Sequence, residues 1–558
     1  MREIDRLTTE RYEVPSLTLM ENAAIATAKL ATELLNDSVI DKSILVICGK
    51  GNNGGDGAAT ARLLAMAGAR VDVVLLGKIE STKGDARINF DRLHSWNDER
   101  AARESKSGAS VNVGRLNIFE CESEAGWQQL LESVLAAPQN NCIDAMLGTG
   151  LTRPAEGLYR EAIILLNRLN EAGVPVVAVD IPSGLDSDSE NPIGEVVQAN
   201  ATVTMTAPKR ANAVPPAVHF NGRLVVAEIG SPRELIDEAK SQLFLIEAED
   251  ARHWLRETRY TPESYKNTHG HALIIAGSRG FTGAAALCGN AAMKAGAGLV
   301  TVASPVSVQP LIATQAMPEV MTTALAETDR GAVSDETVNY VLKFAERANV
   351  VAIGPGLSSE DERTRTFVRS IMEKRQTATV IDADGLNCLS PWPSALRGTD
   401  EKPIILTPHP GEMLRLMGKD DKGALDDRVA AAREFASAHN VILVLKGSRA
   451  LIAAHDGRVF VNPTGNAGLG TAGAGDTLTG VITGFLAQAY GTLRENADAL
   501  QTVIAAVYTS GLAGDLAASK LGMRAMTASD IREHLSEAFR SLDPSGEIPA
   551  VAPHQFLC

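Results

Sequence analysis

Short aliphatic and β-branched runs alternate along this chain with longer, alanine-rich stretches whose apolar residues recur at helical spacing. In the first part of the chain, residues 58–69 form one such helical pattern, and four runs have the length and composition of buried strands: 44–48, 71–76, 142–147 and 174–181. Strands that are apolar on both faces are typical of parallel sheets covered by crossover helices. The alternation therefore predicts an α/β architecture with open, doubly wound sheets.

A second series of strand-like runs follows after a break in this pattern: 271–277, 298–303, 350–354, 377–383, 403–407 and 441–447. Two further runs flank Asp456 and Gly457, a dipeptide that favours a tight hairpin turn. The residues between the two series are charged and show no clear period, and a chain of 558 residues is too long for a single core. We therefore expect two domains, at 1–235 and 266–540, with a junction at 236–265 and a tail at 541–558.

Charge and cysteine usage exclude several classes of function. A net charge of −15 argues against a nucleic-acid partner, and no apolar run reaches the roughly 20 residues that a membrane span needs. The opening residues lack the apolar core of a signal peptide. Six cysteines are scattered without a CxxC pair, which favours reduced thiols over disulfides or a zinc site. We expect a cytoplasmic protein.

The segment 462–476 carries five glycines and no charge before Asp476, and an apolar helical pattern follows it directly. Backbone N–H groups and the helix dipole make such a junction an anion site, and glycine lets the backbone approach a ligand closely. Asp476 would then stand where a carboxylate can take the proton of a hydroxyl that faces a transferable phosphoryl group. The alternative is a tightly packed loop in which Asp476 only caps the helix. The GK[ST] ending of a P-loop is absent from the sequence.

Polar residues also follow other strands of the second series. Lys446 comes after one strand, where it could contact a nucleotide or could simply be an exposed strand-end lysine. His409, Gly411 and Glu412 follow another strand, and residues 353–357 and 382–387 follow two more. Ligands bind at the carboxyl edge of open α/β sheets. Convergence of these loops at one edge predicts a binding site.

In the first series, a dense glycine and asparagine segment at 48–57 follows a strand and opens a helix, although it lacks GxGxxG spacing. Asp144, Asp180 and Ser183 follow two later strands. A turn with a helix cap and a strand-end capping role for Asp180 are the structural alternatives. Three loops of this kind at one edge favour a second binding site.

The motifs of the second series resemble a known family when they are taken together: GSRGFTGAAALCGNAAMKAGAGLVTVA, IGPGL, VIDADGLN, LTPHPGEM, LKG and TGNAGLGTAGAGDTLTG. They are similar to the ribokinase-like ADP- or ATP-dependent NAD(P)H-hydrate dehydratases, over essentially all of 260–535. The resemblance implies a ribokinase-like α/β domain with Asp476 as the catalytic base. It implies that the hydrated nicotinamide nucleotide is held by Gly356, His409, Pro410, Gly411, Glu412, Arg415 and Asp476. It implies that the adenine nucleotide is held by Lys446, Gly447, Ser448, Arg449, Ala450, Asn466, Gly468, Gly470, Thr471, Gly473 and Gly475. Ala450 departs from the family, which often has threonine there.

The first series, together with the opening MREIDRLTTERYEVPSLTLMENAA, resembles the NAD(P)H-hydrate epimerase domain over about residues 1–230. The resemblance implies a Rossmann-like, three-layer αβα domain with Asp180 as the catalytic acid or base. It implies that the hydrated cofactor is held by Asn52, Asn53, Gly54, Gly55, Asp56, Gly148, Thr149, Gly150, Leu151, Thr152, Arg153, Pro154 and Asp180. It also implies a potassium ion on Asn53, Asp144 and Ser183, whose oxygen atoms suit a hard cation.

The two resemblances together imply repair of hydrated NADH and NADPH. The first domain would interconvert the R and S forms, and the second would dehydrate the S form with ADP and Mg²⁺, releasing AMP and phosphate. ADP is expected as the donor because the fusion resembles the bacterial arrangement, and a homo-oligomer is expected. Two alternatives stay open: a small-molecule kinase that uses Asp476 identically, and a first domain that only binds, as in a related scaffold fold. The presence of Asn53, Asp144, Asp180 and Ser183 favours catalysis.

Overall fold

The computed structural model describes residues 1–107, 114–135, 137–239 and 241–543. The chain divides into two compact units, with the boundary between Ser241 and Gln242, and each unit has its own sheet. Within the described residues, no helix combines the length and the apolarity needed to cross a membrane. The expected two-domain α/β class is confirmed.

The first unit is built on a seven-stranded sheet in which all neighbours are parallel. Its strands are β1 (Ser43–Cys48), β2 (Arg70–Leu75), β3 (Arg115–Glu120), β4 (Asn141–Ala145), β5 (Val176–Val179), β6 (Ala201–Met205) and β7 (Arg223–Ala227). Its helices are α1 (Arg2–Tyr12), α2 (Ser16–Glu33), α3 (Asn52–Met66), α4 (Gly84–Ser107), α5 (Glu124–Val134), α6 (Leu158–Glu171), α7 (Arg210–Ala213) and α8 (Arg233–Asp237).

The spatial order β3-β2-β1-β4-β5-β6-β7 places a topological switch point between β1 and β4. Along β1, Ile44 and Val46 belong to one apolar cluster, and Leu45 and Ile47 belong to another. The sheet is therefore covered on both faces, which explains why its central strands are almost wholly apolar. The switch point leaves a crevice at the carboxyl ends of these two strands.

The second unit is built on a ten-stranded sheet in the order β11-β10-β9-β12-β13-β14-β15-β16-β17-β8. Its strands are β8 (Leu243–Leu245), β9 (His271–Ile275), β10 (Leu299–Pro305), β11 (Met321–Leu325), β12 (Val350–Ile353), β13 (Ala378–Ile381), β14 (Ile404–Leu406), β15 (Ile442–Leu445), β16 (Leu451–Ala453) and β17 (Val459–Val461). Strands β9 to β15 are parallel, and β16 runs antiparallel to both of its neighbours. The hairpin expected at Asp456 and Gly457 joins β16 to β17, with Gly457 at a φ of +92°.

The helices of the second unit are α9 (Ala248–Glu257), α10 (Thr282–Lys294), α11 (Gln309–Gln315), α12 (Val338–Ala345), α13 (Glu362–Lys374), α14 (Ala383–Cys388), α15 (Pro410–Leu416), α16 (Arg428–His439), α17 (Ala474–Thr492), α18 (Ala499–Leu521), α19 (Ala528–Glu533) and α20 (Leu535–Leu542). The buried side chains of α10, α17 and α18 form much of the core of this unit. One of the two long helices, α17, begins directly after the glycine run.

Much of the expected junction at 236–265 is regular structure of the second unit. Strand β8 pairs in parallel with β17, and on α9 the buried Trp254 stacks on Phe485. The indole N–H of Trp254 donates a hydrogen bond of 3.1 Å to Thr502. Of the tail expected at 541–558, the first residues end α20, and residues 544–558 lie outside the described part of the chain.

Candidate active sites

The first unit has a cavity of about 620 Å³ at the carboxyl ends of β1, β4 and β5. The cavity brings together many residues that the sequence predicts to bind substrate: Asn52, Asn53, Asp56, Gly148, Thr149, Gly150, Leu151 and Asp180. The other predicted binding residues do not line it: Gly54, Gly55, Thr152, Arg153 and Pro154. The site therefore lies at the switch point, where an open α/β sheet binds ligands.

The glycines at 54–57 belong to α3, which begins at Asn52, and not to a loop. A Cβ on Gly54 would lie 1.7 Å from the carbonyl oxygen of Gly49, and one on Gly57 would lie 2.4 Å from the Cβ of Ala145. These glycines therefore allow α3 to pack tightly against the end of β1 and against β4. Their contribution to the site is indirect, because close packing brings the N-terminus of α3 to the cavity.

Asp180 lies directly after β5, at a φ of +67° that is uncommon for a residue with a side chain. The buried ammonium of Lys209 donates hydrogen bonds to the Asp180 carboxylate, to the hydroxyl of Thr204 at 2.9 Å and to the carbonyl of Met205 at 3.0 Å. Sequence reasoning missed Lys209, which lines the same cavity. Its signal in the sequence is a basic residue shortly after β6, at the same sheet edge.

Two further carboxylates share this cavity with Asp180. Burial, assisted by the neighbouring Asp180 and Asp5, raises the pKa of Asp56 well above its usual range, and Lys209 opposes that shift. Asp5 on α1 also has a raised pKa because of burial, and its Oδ1 has no hydrogen-bond partner among the described residues. The cavity can therefore hold a protonated carboxyl group beside an ion pair, which suits proton transfer.

The residues predicted to hold potassium lie close together. The fully buried carboxylate of Asp144 accepts hydrogen bonds from the backbone N–H of Ser183 at 2.7 Å and from its hydroxyl at 2.6 Å. Burial raises the pKa of Asp144 to about 6, although the hydrogen bonds from Ser183 oppose the shift. The side chain of Asn53 lies against Gly148, and its Nδ2 has no partner among the described residues. A buried carboxylate whose hydrogen-bond partner Ser183 is neutral has a charge that a bound cation could compensate.

In the second unit, the neighbouring strands β13, β14 and β15 bring Asp382, His409 and Lys446 to one sheet edge. The Lys446 ammonium lies 2.7 Å from Oδ1 of Asp382 and 3.9 Å from Oε2 of Glu412. Burial acts to lower the pKa of Lys446, but the Asp382 and Glu412 carboxylates outweigh it and raise that pKa. The Lys446 side chain is therefore fixed in place by neighbouring carboxylates. It is not the exposed strand-end lysine of the alternative interpretation.

Asp476 lies in the first turn of α17, directly after the glycine run. Burial, together with the nearby Asp382 carboxylate, raises the pKa of Asp476 to about 6, and Lys446 opposes the shift. The N-cap residue of α17 is Gly473 and not Asp476, so Asp476 does not occupy the capping position that the alternative interpretation gives it. A half-buried carboxyl with a pKa near neutrality, at the N-terminus of a long helix, is suited to accept a proton from a bound alcohol.

The loop that precedes α15 is fixed by reciprocal hydrogen bonds. His409 is the N-cap residue, and its Nδ1 accepts from the N–H of Gly411 at 3.0 Å, while Glu412 accepts from the N–H of His409 at 2.9 Å. The exposed Arg415 donates through Nε to Asn387 at 2.9 Å. The other ring nitrogen of His409, Nε2, lies 3.5 Å from Oε1 of Glu412, so this carboxylate contacts His409 at both its backbone and its ring.

Other predicted dehydratase residues lie near this edge, in turns or at the start of a helix. Gly356 has a φ of +64°, and a Cβ there would lie 2.9 Å from the Cβ of Phe281. Pro410 is the first residue of α15. Gly447 and Ser448 follow β15, where Arg428 donates to the Ser448 carbonyl at 3.3 Å. The Ala450 carbonyl accepts from the N–H of Asn462, so this position contributes its backbone to the hairpin.

The glycine run is anchored by Asp515 on α18, which sequence reasoning also missed. Its carboxylate accepts from the N–H of Gly465 at 2.8 Å and from the side-chain amide of Asn466 at 2.9 Å. The side-chain oxygen Oδ1 of Asn466 accepts in turn from the N–H of Gly468 at 2.9 Å. Residues 467–470 form a short 3₁₀ turn with Thr471 after it, and Gly473 has a φ of +86°. The Asn466 side chain therefore shapes the loop from within.

Two family models match this chain. One, described as NAD(P)H-hydrate dehydratase, matches residues 272–537. The other, described as YjeF-related protein N-terminus, matches residues 16–211. The two matches fall in the second and the first unit respectively.

Relatives match both units at once. A bifunctional NAD(P)H-hydrate repair enzyme from Moorella thermoacetica is 39% identical over 550 residues, covering 98% of this chain and 97% of the relative. The protein of the same name from Escherichia coli is 32% identical over 534 residues, covering 95% of this chain and 91% of the relative. A crystal structure of an ADP/ATP-dependent NAD(P)H-hydrate dehydratase from Bacillus subtilis, co-crystallised with ATP/Mg²⁺, is 29% identical and covers 54% of this chain and 99% of that one, with a TM-score of 0.45.

Proposed function

This chain belongs to the family of bifunctional NAD(P)H-hydrate repair enzymes, with an epimerase domain followed by a dehydratase domain, and we propose that the two sites described above carry out these two reactions. The cavity of the first unit would interconvert the R and S forms of hydrated NADH or NADPH. The edge of the second unit that holds Asp476 and Lys446 would dehydrate the S form. The relatives that match the whole chain are named as repair enzymes, which favours this function over a small-molecule kinase with a first domain that only binds.

In the dehydratase domain, the proposed substrate is the hydrated nicotinamide nucleotide, and its ring hydroxyl is the nucleophile. Asp476 takes the hydroxyl proton as the oxygen attacks the terminal phosphoryl group of ADP, and AMP leaves. The phosphate ester then loses phosphate from the ring carbon and a proton from the adjacent carbon, which restores the double bond. Phosphorylation is useful because hydroxide is a poor leaving group and phosphate is a good one. Mg²⁺ bound with the nucleotide would neutralise its phosphates.

The observation that carries this assignment is the placement of one carboxylate and one cation at the end of a glycine run. Asp476 lies in the first turn of α17, and the Lys446 ammonium lies 3.3 Å from where a Cβ of Gly475 would be. Phosphoryl transfer needs a base at the nucleophile and positive charge at the group in transfer. The backbone N–H groups at the start of α17 supply further partial positive charge.

In the epimerase domain, we assign to Asp180, which is held by Lys209, the role of acid or base in epimerisation at the hydroxyl-bearing ring carbon. Asn52, Asn53 and the loop 148–151 would bind the hydrated cofactor around it. Asn53, Asp144 and Ser183 would hold potassium, which supplies positive charge that compensates the buried Asp144 carboxylate. The test is Asp180→Ala in the full chain: exchange between the epimers should be lost while dehydration of purified S form continues. Unchanged epimer exchange would remove Asp180 from the mechanism.

The reaction as a whole is tested by incubating a mixture of both epimers of hydrated NADH with Mg²⁺ and either ADP or ATP. Repair restores the absorbance of reduced nicotinamide and converts ADP to AMP and phosphate. A small-molecule kinase would instead leave a stable phosphorylated alcohol and no reduced nicotinamide. We expect ADP to support the faster repair, and a clear advantage for ATP would correct the assignment of the donor.

A further inference from the structure

Asp382 is buried directly after β13, where it is 1% exposed, and the sequence places its loop at the predicted site without giving Asp382 itself a role. Both of its carboxylate oxygens are used. Oδ1 accepts from the Lys446 ammonium at 2.7 Å, and Oδ2 accepts from the hydroxyl of Thr479 at 2.8 Å. Thr479 lies on α17, one turn after Asp476. One carboxylate therefore connects the end of β15 to the helix that carries the proposed base.

This connection determines where the Lys446 cation lies. The ammonium has three N–H groups, and its hydrogen bond to Asp382 uses one of them. Gly475 has no side chain to fill the space beside it, since a Cβ there would lie 3.3 Å from Nζ of Lys446 and 3.9 Å from Oδ2 of Asp382. The ammonium consequently lies against the backbone at the start of α17. A longer residue at 475 would crowd it.

The geometry points to Asp382 as a positioning residue that, together with Thr479, holds the Lys446 ammonium beside the start of α17, toward the phosphoryl group in transfer. This inference rests on the proposed function. As the substrate oxygen bonds to phosphorus and the bond to AMP breaks, negative charge collects on the transferring group and on the departing AMP phosphate. A cation that is already fixed there stabilises that charge without reorganising. Asp382 acts through Lys446 and does not touch the reacting atoms.

The test is a double-mutant cycle in the full-length protein, assayed with S-form hydrated NADH, ADP and Mg²⁺. Lys446→Met should lower kcat by about 10²- to 10³-fold, as loss of one fixed charge-stabilising group does. Asp382→Asn keeps the shape of the side chain and should lower kcat by about tenfold or more, with KM for hydrated NADH within about twofold. Because Asp382 acts through Lys446, the double variant should be no slower than Lys446→Met.

Two controls separate positioning from folding. Asp361→Asn makes the same change at another buried carboxylate, the N-cap of α13, and should leave kcat unchanged because asparagine also caps helices. Thr479→Ser keeps the hydroxyl that Asp382 accepts from and should retain kcat, whereas Thr479→Val removes it and should lower kcat. If Asp382→Asn fails to fold by circular dichroism, the Thr479 pair tests the same contact.

Additive losses in the cycle would overturn the inference, because Asp382 would then act independently of Lys446. Equal activity of Thr479→Val and Thr479→Ser would overturn the part assigned to Thr479. These outcomes are distinct from failure of the proposed function, in which the wild-type protein itself would release no reduced nicotinamide with ADP or ATP.

Discussion

At the scale of single residues, Asp476 differs from an ordinary aspartate because burial and the Asp382 carboxylate raise its pKa to about 6. A general base must be ionised to accept a proton, so activity requires a pH above that value. We predict that kcat/KM for dehydration falls as the pH is lowered through about 6, in assays of the S form between about pH 5 and pH 8. A rate that stays constant down to about pH 4.5 would contradict a base with this pKa.

Replacing Asp476 separates chemistry from binding. Asp476→Asn keeps the size of the side chain, and the glycine run offers mainly backbone groups, so calorimetry should show ADP binding close to that of the wild type. Turnover should fall by about 10²- to 10⁴-fold, which is the usual contribution of a positioned base. Equal losses of binding and turnover would indicate that Asp476 serves the structure of the helix start.

The residues that the sequence did not reveal have a common physical origin. Lys209 and Asp515 lie outside the glycine-rich segments and reach the sites because the sheet edge and α18 bring distant segments together. Asp382 directly follows β13, so the sequence placed its loop at the site, but it did not reveal the contact with Lys446. Each of these residues contacts a residue that the sequence did predict. The contact depends on how the side chains are arranged in the fold, which the spacing of residues along the chain does not reveal. Asp180 and Lys446 could be predicted because each directly follows a strand. Asp476 could be predicted because it lies at the start of the helix that follows the glycine run.

At the scale of secondary structure, hydrophobic runs located the central strands β1, β2, β4 and β5, which are buried on both faces. Strands β3, β6 and β7 were missed, because polar residues interrupt the apolar ones along β3 and β6, and β7 is a short, half-exposed strand at the sheet edge. Helix α3 was placed too late, at residue 58, because asparagine and glycine disfavour helix. Close packing against β1 and β4 overrides that preference, as the short distances at Gly54 and Gly57 show.

The glycine run and the start of α17 give a matched pair of substitutions. Gly473 has a φ of +86°, and a Cβ there would meet Leu287 at 2.5 Å, whereas the space around Gly470 is open. Alanine at 473 should distort the cradle at a cost of about 1–2 kcal/mol and weaken ADP binding by roughly 5- to 30-fold. Gly470→Ala should bind ADP like the wild type, and calorimetry of both variants decides. Equal affinities would mean that the glycine run does not need the left-handed backbone conformation at Gly473 to bind ADP.

At the scale of the whole molecule, the two chemistries are encoded in units with separate sheets and separate cores. The cation expected in the first unit gives a way to inhibit one activity alone. Two of the ligands proposed for it, Asp144 and Ser183, are fully buried, and the dehydratase groups Asp476 and Lys446 belong to the other unit. Removing potassium should therefore slow epimerisation and spare dehydration.

That expectation is measured by dialysing the full-length protein against a tetramethylammonium buffer, because this cation is too large for a site built from Asn53, Asp144 and Ser183. Dehydration of purified S form should keep its rate, while repair of the R form should slow until KCl is added back. Asp144→Asn removes the carboxylate charge that the cation compensates, so its R-form repair should be slow at every KCl concentration. Sodium in place of tetramethylammonium controls for ionic strength. Parallel loss of both activities without potassium would place the cation requirement in the dehydratase site or in both sites.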